Sequence, residues 1–310
     1  MATAYLLCLS KWADFIICYV PVAAWFGTQL ATAGHVALYR PASSGGAELT
    51  YYGSDGGRQM TLHITGDTTG KPEIYTFYQQ ALTALHKAQI PFLIGGAYAF
   101  RHYTDITCKT KDLDLFVSPD ECPHALAVLQ AAGYHTELTS SHWLGKASCG
   151  EAYLDVIFSS GNGITVVDKL WFAHAVAGEL FGLSVEFCPP EEMVWTKAYI
   201  MERERFDGAD VAHLLRACGT CFDWPRVLRR FGPHWRVLLS HLILFGFIYQ
   251  TERDYIPRWV MQELIDRLQH EAHAPLGAER VCRGTLLSRA QYLVDIDGGI
   301  MTLGGLPQAN

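Results

Sequence analysis

Three aspartates and a glycine pair are the residues of this chain best suited to chemistry. Gly95-Gly96 closes the short apolar run Pro91-Phe92-Leu93-Ile94, and Asp112-Leu113-Asp114-Leu115-Phe116-Val117 follows. On a strand, residues two apart share a face, so Asp112 and Asp114 project together while Leu113, Leu115 and Val117 turn to a core. Two neighbouring carboxylates repel each other unless a cation lies between them. Magnesium is the natural guest, because it takes hard oxygen ligands, commonly one or two carboxylates with phosphates and water completing the octahedron. A third acid is expected on a neighbouring strand, and Asp155 supplies it within Tyr153-Leu154-Asp155-Val156-Ile157-Phe158. Gly95 and Gly96 lack a Cβ, so backbone N–H groups at the start of the helix expected over residues 97–103 can approach phosphate oxygens. Glycine pairs serve ordinary turns, and Asp-x-Asp occurs in calcium loops. The ordered combination with a third strand-borne acid points to phosphoryl or nucleotidyl transfer. Lys111, Lys146 and Lys197 are candidate phosphate contacts, against the plain alternative of solvated surface lysines.

This pattern resembles the nucleotidyltransferases with the polymerase-beta-like catalytic fold, whose Gly-Gly, helix, Asp-h-Asp strand and later lone acid are matched here by Gly95, Gly96, Asp112, Asp114 and Asp155. Thr110-Lys111-Asp112-Leu113-Asp114-Leu115 is similar to the version found in aminoglycoside- and lincosamide-type enzymes and in abortive-infection toxin relatives. Lys197, Arg203, Arg205, Asp207 and Asp210 resemble a helical segment of those toxin relatives. The likeness runs from about Ile74 to Leu215. Two departures stand out: a slightly longer gap between Gly96 and Asp112, and Lys109 where many members carry Arg. The resemblance implies an α/β fold, a mixed-sheet catalytic domain followed by a C-terminal helical lobe. It implies two Mg2+ ions on Asp112, Asp114 and Asp155, phosphates held by Gly95, Gly96, Lys111 and Lys197, and a nucleoside triphosphate donor, ATP first. The acceptor is a small molecule, a tRNA end or a protein hydroxyl, and pyrophosphate leaves. The competing class is a non-catalytic relative acting by binding, such as a toxin-antitoxin component. A kinase-like reading is disfavoured by the lack of a Walker lysine motif or kinase loop set.

The elements that must position these residues follow from periodicity. Residues 73–88 place Ile74, Phe77, Tyr78, Ala81, Leu82 and Leu85 at helical spacing. Ser118-Pro119-Asp120-Glu121 has the form of a capping box ahead of a helix that Gly133 stops. Together with the strands this predicts an α/β catalytic domain over 60–188, a helical lobe over 189–275 and a tail over 276–310. The run from Trp235 to Tyr249 is strongly apolar but shorter than the ~20 residues of a bilayer span, so a buried bundle helix is expected. Arg226, Arg229, Arg230 and Arg236 precede or begin it, as a solvated basic face or as a docking surface for a polyanion.

A net charge of −7 without a basic run argues against a broad nucleic-acid grip. Nine cysteines, odd in number and scattered, suit a reducing compartment, here the cytoplasm. Cys218-Gly219-Thr220-Cys221 lacks a second pair at zinc spacing, and the thirteen histidines form no ligand set. His102, His142 and His213 are expected to be ordinary polar residues.

Residues 1–59 are expected to be a poorly patterned extension, with 40–59 unstructured. Phe15 to Phe26, with Lys11 before it and Ala31-Thr32-Ala33 after it, has the outline of a secretory signal interrupted by Pro21. Export would part a nucleotide-dependent enzyme from its triphosphate. The functional chain is expected to begin at Met60, since Gly56-Gly57-Arg58-Gln59 can be encoded by purine-rich codons resembling a ribosome-binding site. Mass spectrometry of the native amino terminus should therefore find Met60 or Thr61. A terminus near Gly34 would indicate export.

Overall fold

The computed structural model describes residues 16–18, 36–41, 47–52, 59–64, 72–108, 110–275, 280–297 and 302–303. The chain divides into two units, Met1–Ile74 and Tyr75–Asn310. In the first, strands β1 (Ile16–Cys18), β2 (Val36–Pro41), β3 (Ala47–Tyr52) and β4 (Gln59–Ile64) form an antiparallel sheet in sequential order. The expectation of an unpatterned extension therefore needs correction. Polar and apolar residues alternate along Gln59-Met60-Thr61-Leu62-His63-Ile64, a strand signal that a search for helical period passes over. The 59/60 boundary cuts through β4, whose partner β3 lies upstream. Apart from Ile16–Cys18, the signal-like segment lies outside the described residues, as do Gly56, Gly57 and Lys109.

The second unit is built as expected, a mixed sheet flanked by helices with a helical lobe after it. Helix α1 (Pro72–Lys87) leads to β5 (Leu93–Ile94), α2 (Gly96–Thr104) and β6 (Asp112–Phe116). A 3-10 turn at Pro119–Glu121 opens α3 (Cys122–Ala131), followed by β7 (His135–Ser140), β8 (Leu144–Cys149) and β9 (Ala152–Ile157). Then come α4 (Lys169–Ala173), β10 (Val176–Leu180) and β11 (Leu183–Phe187). The sheet order is β10-β11-β5-β6-β9-β8-β7, with β6 and β9 parallel at its centre and β8 antiparallel to β9. Leu113, Leu115, Val117, Leu154 and Val156 are fully buried, the alternation expected of central strands with one face on a core. Ala81, Leu82 and Leu85 of α1 are buried too. Ser118 makes no side-chain cap, so the capping box does not form; Pro119 starts a 3-10 turn instead. Gly133 takes φ +95°, a left-handed stop that suits glycine.

The lobe comprises α5 (Pro190–Lys197), α6 (Gly208–Cys218), α7 (Trp224–Phe231), α8 (Trp235–Ile248) and α9 (Arg258–His273). By length and composition Trp224–Ile248 could cross a membrane, but a 3-10 turn at Gly232–His234 interrupts it. Its apolar run is half-buried rather than buried: Leu238, Leu242 and Phe245 face the core, while Ile243, Phe247 and Ile248 are exposed. His241 is buried within it, its Nε2 2.9 Å from the Ala198 carbonyl oxygen, and burial lowers its pKa.

Two of the three arginines of α7, Arg226 and Arg230, do not form the solvated or polyanion-docking face expected, because both are turned onto acids. Arg226 is 3 % exposed, and its guanidinium meets Glu191 at 2.8 Å and Glu192 at 2.5 Å. Arg230 joins Glu192 at 3.1 Å to Asp168, the N-cap of α4, at 2.5 Å. Burial acts to raise the Asp168 carboxyl, but Arg230 and two backbone amides hold it below its usual range. Of the three arginines on α7 only Arg229 is exposed. Part of the expected tail, around Leu286, folds back as well, since Asn162 Nδ2 donates to the Leu286 carbonyl at 2.8 Å and Leu286 is buried.

Breaking a buried ion pair strands its partner, at a cost of about 3–5 kcal/mol. Glu192→Ala should lower unfolding stability by about that amount, measured by urea titration. Arg229→Ala on the same helix should change it by less than ~0.5 kcal/mol.

Candidate metal and nucleotide site

Asp112 and Asp114 reach one face of β6, and parallel pairing sets Asp114 beside Asp155 of β9. Asp112, Asp114 and Asp155 each offer a carboxylate oxygen, and these three oxygens lie within 4.8 Å of one another. Among the described residues no other group of three His, Cys, Asp or Glu side chains is so arranged. Cys218 and Cys221 are free.

The glycine pair fits this cluster, though in a different way from that expected. Gly95 is the N-cap of α2, and its N–H donates 2.9 Å to the Asp114 carbonyl, so that amide is committed to the sheet. A Cβ on Gly95 would lie 2.2 Å from the Phe116 ring. Gly96 has φ +52°, and a Cβ there would lie 1.6 Å from Asp114 Oδ2. Glycine is thus required by both backbone and space. The first intrahelical bond runs from Ala99 N–H to Gly95 C=O, so the amides of Gly96 and Ala97 stand at the open start of the helix.

The surroundings control the charge. Asp114 is raised to about 7, by burial first and then by Asp112 and Asp155, with Lys197 and Arg205 opposing. Burial also raises Asp155, against the pull of Lys146, whose ammonium is 3.1 Å from Asp155 Oδ1. Thr110 Oγ1 donates to Asp112 Oδ1 at 2.5 Å and fixes that carboxylate. Three carboxylates this close, with Asp155 Oδ1 buried and, among the described residues, met by the Lys146 ammonium without an aligned hydrogen bond, suit a hard divalent cation.

Of the lysines proposed for phosphate, Lys197 pairs with Asp210 at 2.6 Å and Asp207 at 3.1 Å. Its ammonium lies 5.9 Å from the centre of the Phe100 ring. Arg205 holds both oxygens of Asp207, at 2.9 and 3.0 Å. Lys111 is exposed just ahead of β6, and its carbonyl accepts from the Tyr78 hydroxyl at 3.4 Å. The structure therefore brings together the three acids, Gly95, Gly96 and Lys146, sets Lys197 close enough to act on Asp114, and leaves Lys111 at the rim. Sequence reasoning missed Thr110 as the residue that orients Asp112, and the aromatic group beside α1. In that group Phe181, at φ +52°, packs on Tyr75, Tyr78 and Tyr98 with centroids 5.2 to 5.8 Å away. The turn dipeptide Phe181-Gly182 was the available signal. His102 stacks on Phe187 at 4.1 Å and His213 accepts or donates to the Tyr249 hydroxyl at 3.0 Å, both structural contacts.

The profile of a family described as uncharacterised nucleotidyltransferase matches residues 73–235. No curated protein sequence matches the chain. Among solved structures, the chain is similar to the antibiotic-resistance factor ANT(2'')-Ia, with 17% identity, a TM-score of 0.40, and coverage of 54% of this chain and 95% of that one. The lincosamide antibiotic adenylyltransferase LnuA gives 15% identity, a TM-score of 0.34, and coverage of 46% and 95%. JHP933 from Helicobacter pylori gives 10% identity, a TM-score of 0.34, and coverage of 66% and 96%.

A carboxyl raised from 3.8 to about 7 binds more protons in the folded than in the unfolded chain across that window. Metal-free stability should therefore fall as pH rises from about 4 to 7. Asp114→Asn removes this penalty and should stabilise the metal-free protein at pH 8 by on the order of 2 kcal/mol, narrowing towards pH 4. Urea unfolding in chelator checks this, and a destabilised Asn variant at pH 8 would refute it. Gly96→Ala should cost ~1–3 kcal/mol through its positive φ and the clash with Asp114, read in the same titration.

Proposed function

The chain belongs to the family of uncharacterised nucleotidyltransferases, and on that premise we propose that it moves a nucleoside monophosphate from a nucleoside triphosphate to an acceptor hydroxyl, in a magnesium-dependent reaction that releases pyrophosphate. The observation that carries this reading is the convergence of Asp112, Asp114 and Asp155 within 4.8 Å, with Gly96 packed against the Asp114 carboxylate. Asp112, Asp114 and Asp155 would hold two Mg2+ ions, which when bound supply charge neutralisation to the triphosphate and activation of the attacking oxygen.

The protein's own residues do the rest. Thr110 holds Asp112 in one orientation. The start of α2 offers the amides of Gly96 and Ala97 to phosphate oxygens, and Lys111 at the rim is a second phosphate contact. Lys197, steadied by Asp207 and Asp210, contributes positive potential at Asp114. Asp155, with a carboxyl raised by burial, is the group suited to take the proton of the acceptor hydroxyl. A triphosphate donor, ATP first, fits a cytoplasmic setting. Small molecules, a tRNA end and a protein hydroxyl are the acceptor classes to test, and antibiotics belong among the small molecules.

Incubation with α-labelled and γ-labelled ATP separates the reactions. Label should enter product from the α position only, with pyrophosphate released; transfer from the γ position alone would make the protein a kinase. Asp112→Ala should lower turnover by at least about a thousandfold while the variant keeps a cooperative melt. Nucleotide binding without transfer of either label would favour the binding-only alternative.

A further inference from the structure

Lys146 stands opposite Asp155 in the antiparallel register of β8 and β9. Its ammonium lies 3.1 Å from Asp155 Oδ1 and 4.7 Å from the centre of the Tyr153 ring. Tyr153 is in turn the register partner of Asp112, so Lys146 borders the acid cluster from within the sheet. The other two cations that act on the cluster, Lys197 and Arg205, come from the helical lobe. They influence Asp114, whereas Lys146 acts on Asp155.

Asp155 Oδ1 is closed to solvent and makes no hydrogen bond of acceptable geometry among the described residues. The approach of Lys146 is close but poorly directed, an electrostatic contact rather than an aligned bond. Burying a carboxylate oxygen is costly unless it is paired, so this oxygen requires a cation. Either an ammonium or a divalent ion satisfies it, but not both at bonding distance, because the two positive charges would repel strongly in a partly dry site. The lysine stem is flexible and 31% of the side chain is exposed, which gives the ammonium a route out towards solvent along the Tyr153 ring.

Resting on the metal assignment above, we propose that Lys146 is the resident counter-cation of Asp155 and competes with a divalent ion for it. Lys146 is then a positioning residue that sets the metal affinity of the Asp155 side of the cluster. Asp112 and Asp114 can take an ion in the free protein, while the ion on Asp155 gains full occupancy when triphosphate oxygens add ligands and negative charge.

The test is Mn2+ binding to the full-length, metal-free protein without nucleotide, followed by calorimetry and by the free Mn2+ paramagnetic resonance signal. Lys146→Met should bind Mn2+ at least about tenfold more tightly than wild type, or take up an additional ion, since a competing positive charge is gone. Lys146→Arg, which keeps the charge, should bind like wild type. Lys146→Gln serves as a second neutral variant should Met fail to give a cooperative melt. Unchanged or weaker binding in the folded neutral variants, with wild-type binding intact and lost in Asp112→Asn, would overturn this inference alone. Absence of Mn2+ binding in wild type and every variant would remove the metal assignment together with it.

Discussion

Mutual repulsion among three carboxylates is the constraint around which the second unit is arranged. Asp112, Asp114 and Asp155 are gathered within 4.8 Å in a setting dry enough to raise Asp114 to about 7. Such a grouping opposes folding unless positive charge is brought to it. The chain supplies that charge from two directions. Lys146 comes from the neighbouring strand, and Lys197 and Arg205 come from the helical lobe. Lys197 and Arg205 are themselves paired with Asp207 and Asp210, so much of their charge is already balanced away from the three carboxylates. The close approach at Gly96 follows from the same constraint, because a side chain at that position would occupy the space of the Asp114 carboxylate.

The lobe is fastened by a second group of charges, built on Glu191, Glu192, Arg226 and Arg230. Glu191 and Glu192 sit at the start of α5, where first-turn acids are ordinarily solvated, yet here they are buried against Arg226 and Arg230. Arg230 extends this group to Asp168 at the start of α4. Helix α5 therefore has one end locked to α7 and, through Arg230, to α4, and the other end carries Lys197. Rigid anchoring of α5 holds Lys197 against Asp207 and Asp210 and keeps its charge near Asp114. Charge at a site is useful only when its position is defined, and the buried network defines it.

The carboxylate cluster and the order of elements around it were legible from local pattern. Strand alternation at Asp112-Leu113-Asp114, the apolar frame of Asp155, the helical spacing of Phe77, Ala81, Leu82 and Leu85, and the stop at Gly133 each depend on residues close in sequence, so the pattern and the physics coincide. Arg226 and Arg230 were misjudged because their partners lie at Glu192 and Asp168, and a basic run looks alike whether it faces water or buried acids. Strands β3 and β4 were passed over because their short two-residue period lies between glycine-rich joins.

By itself the sequence determined which side chains could hold metal and phosphate, since the chemistry of Asp-x-Asp on a strand and of Gly-Gly before a helix is set by residue type and spacing. Tertiary structure decided which charges meet. Parallel pairing of β6 with β9 placed Asp114 beside Asp155, and β8 delivered Lys146 to the same carboxylate. Folding of the lobe turned Arg226 inward while Arg229 stayed in solvent. These outcomes depend on register and burial between segments far apart in the chain. Coulomb energy and desolvation vary steeply with both, and neither register nor burial is encoded in the local spacing of residues.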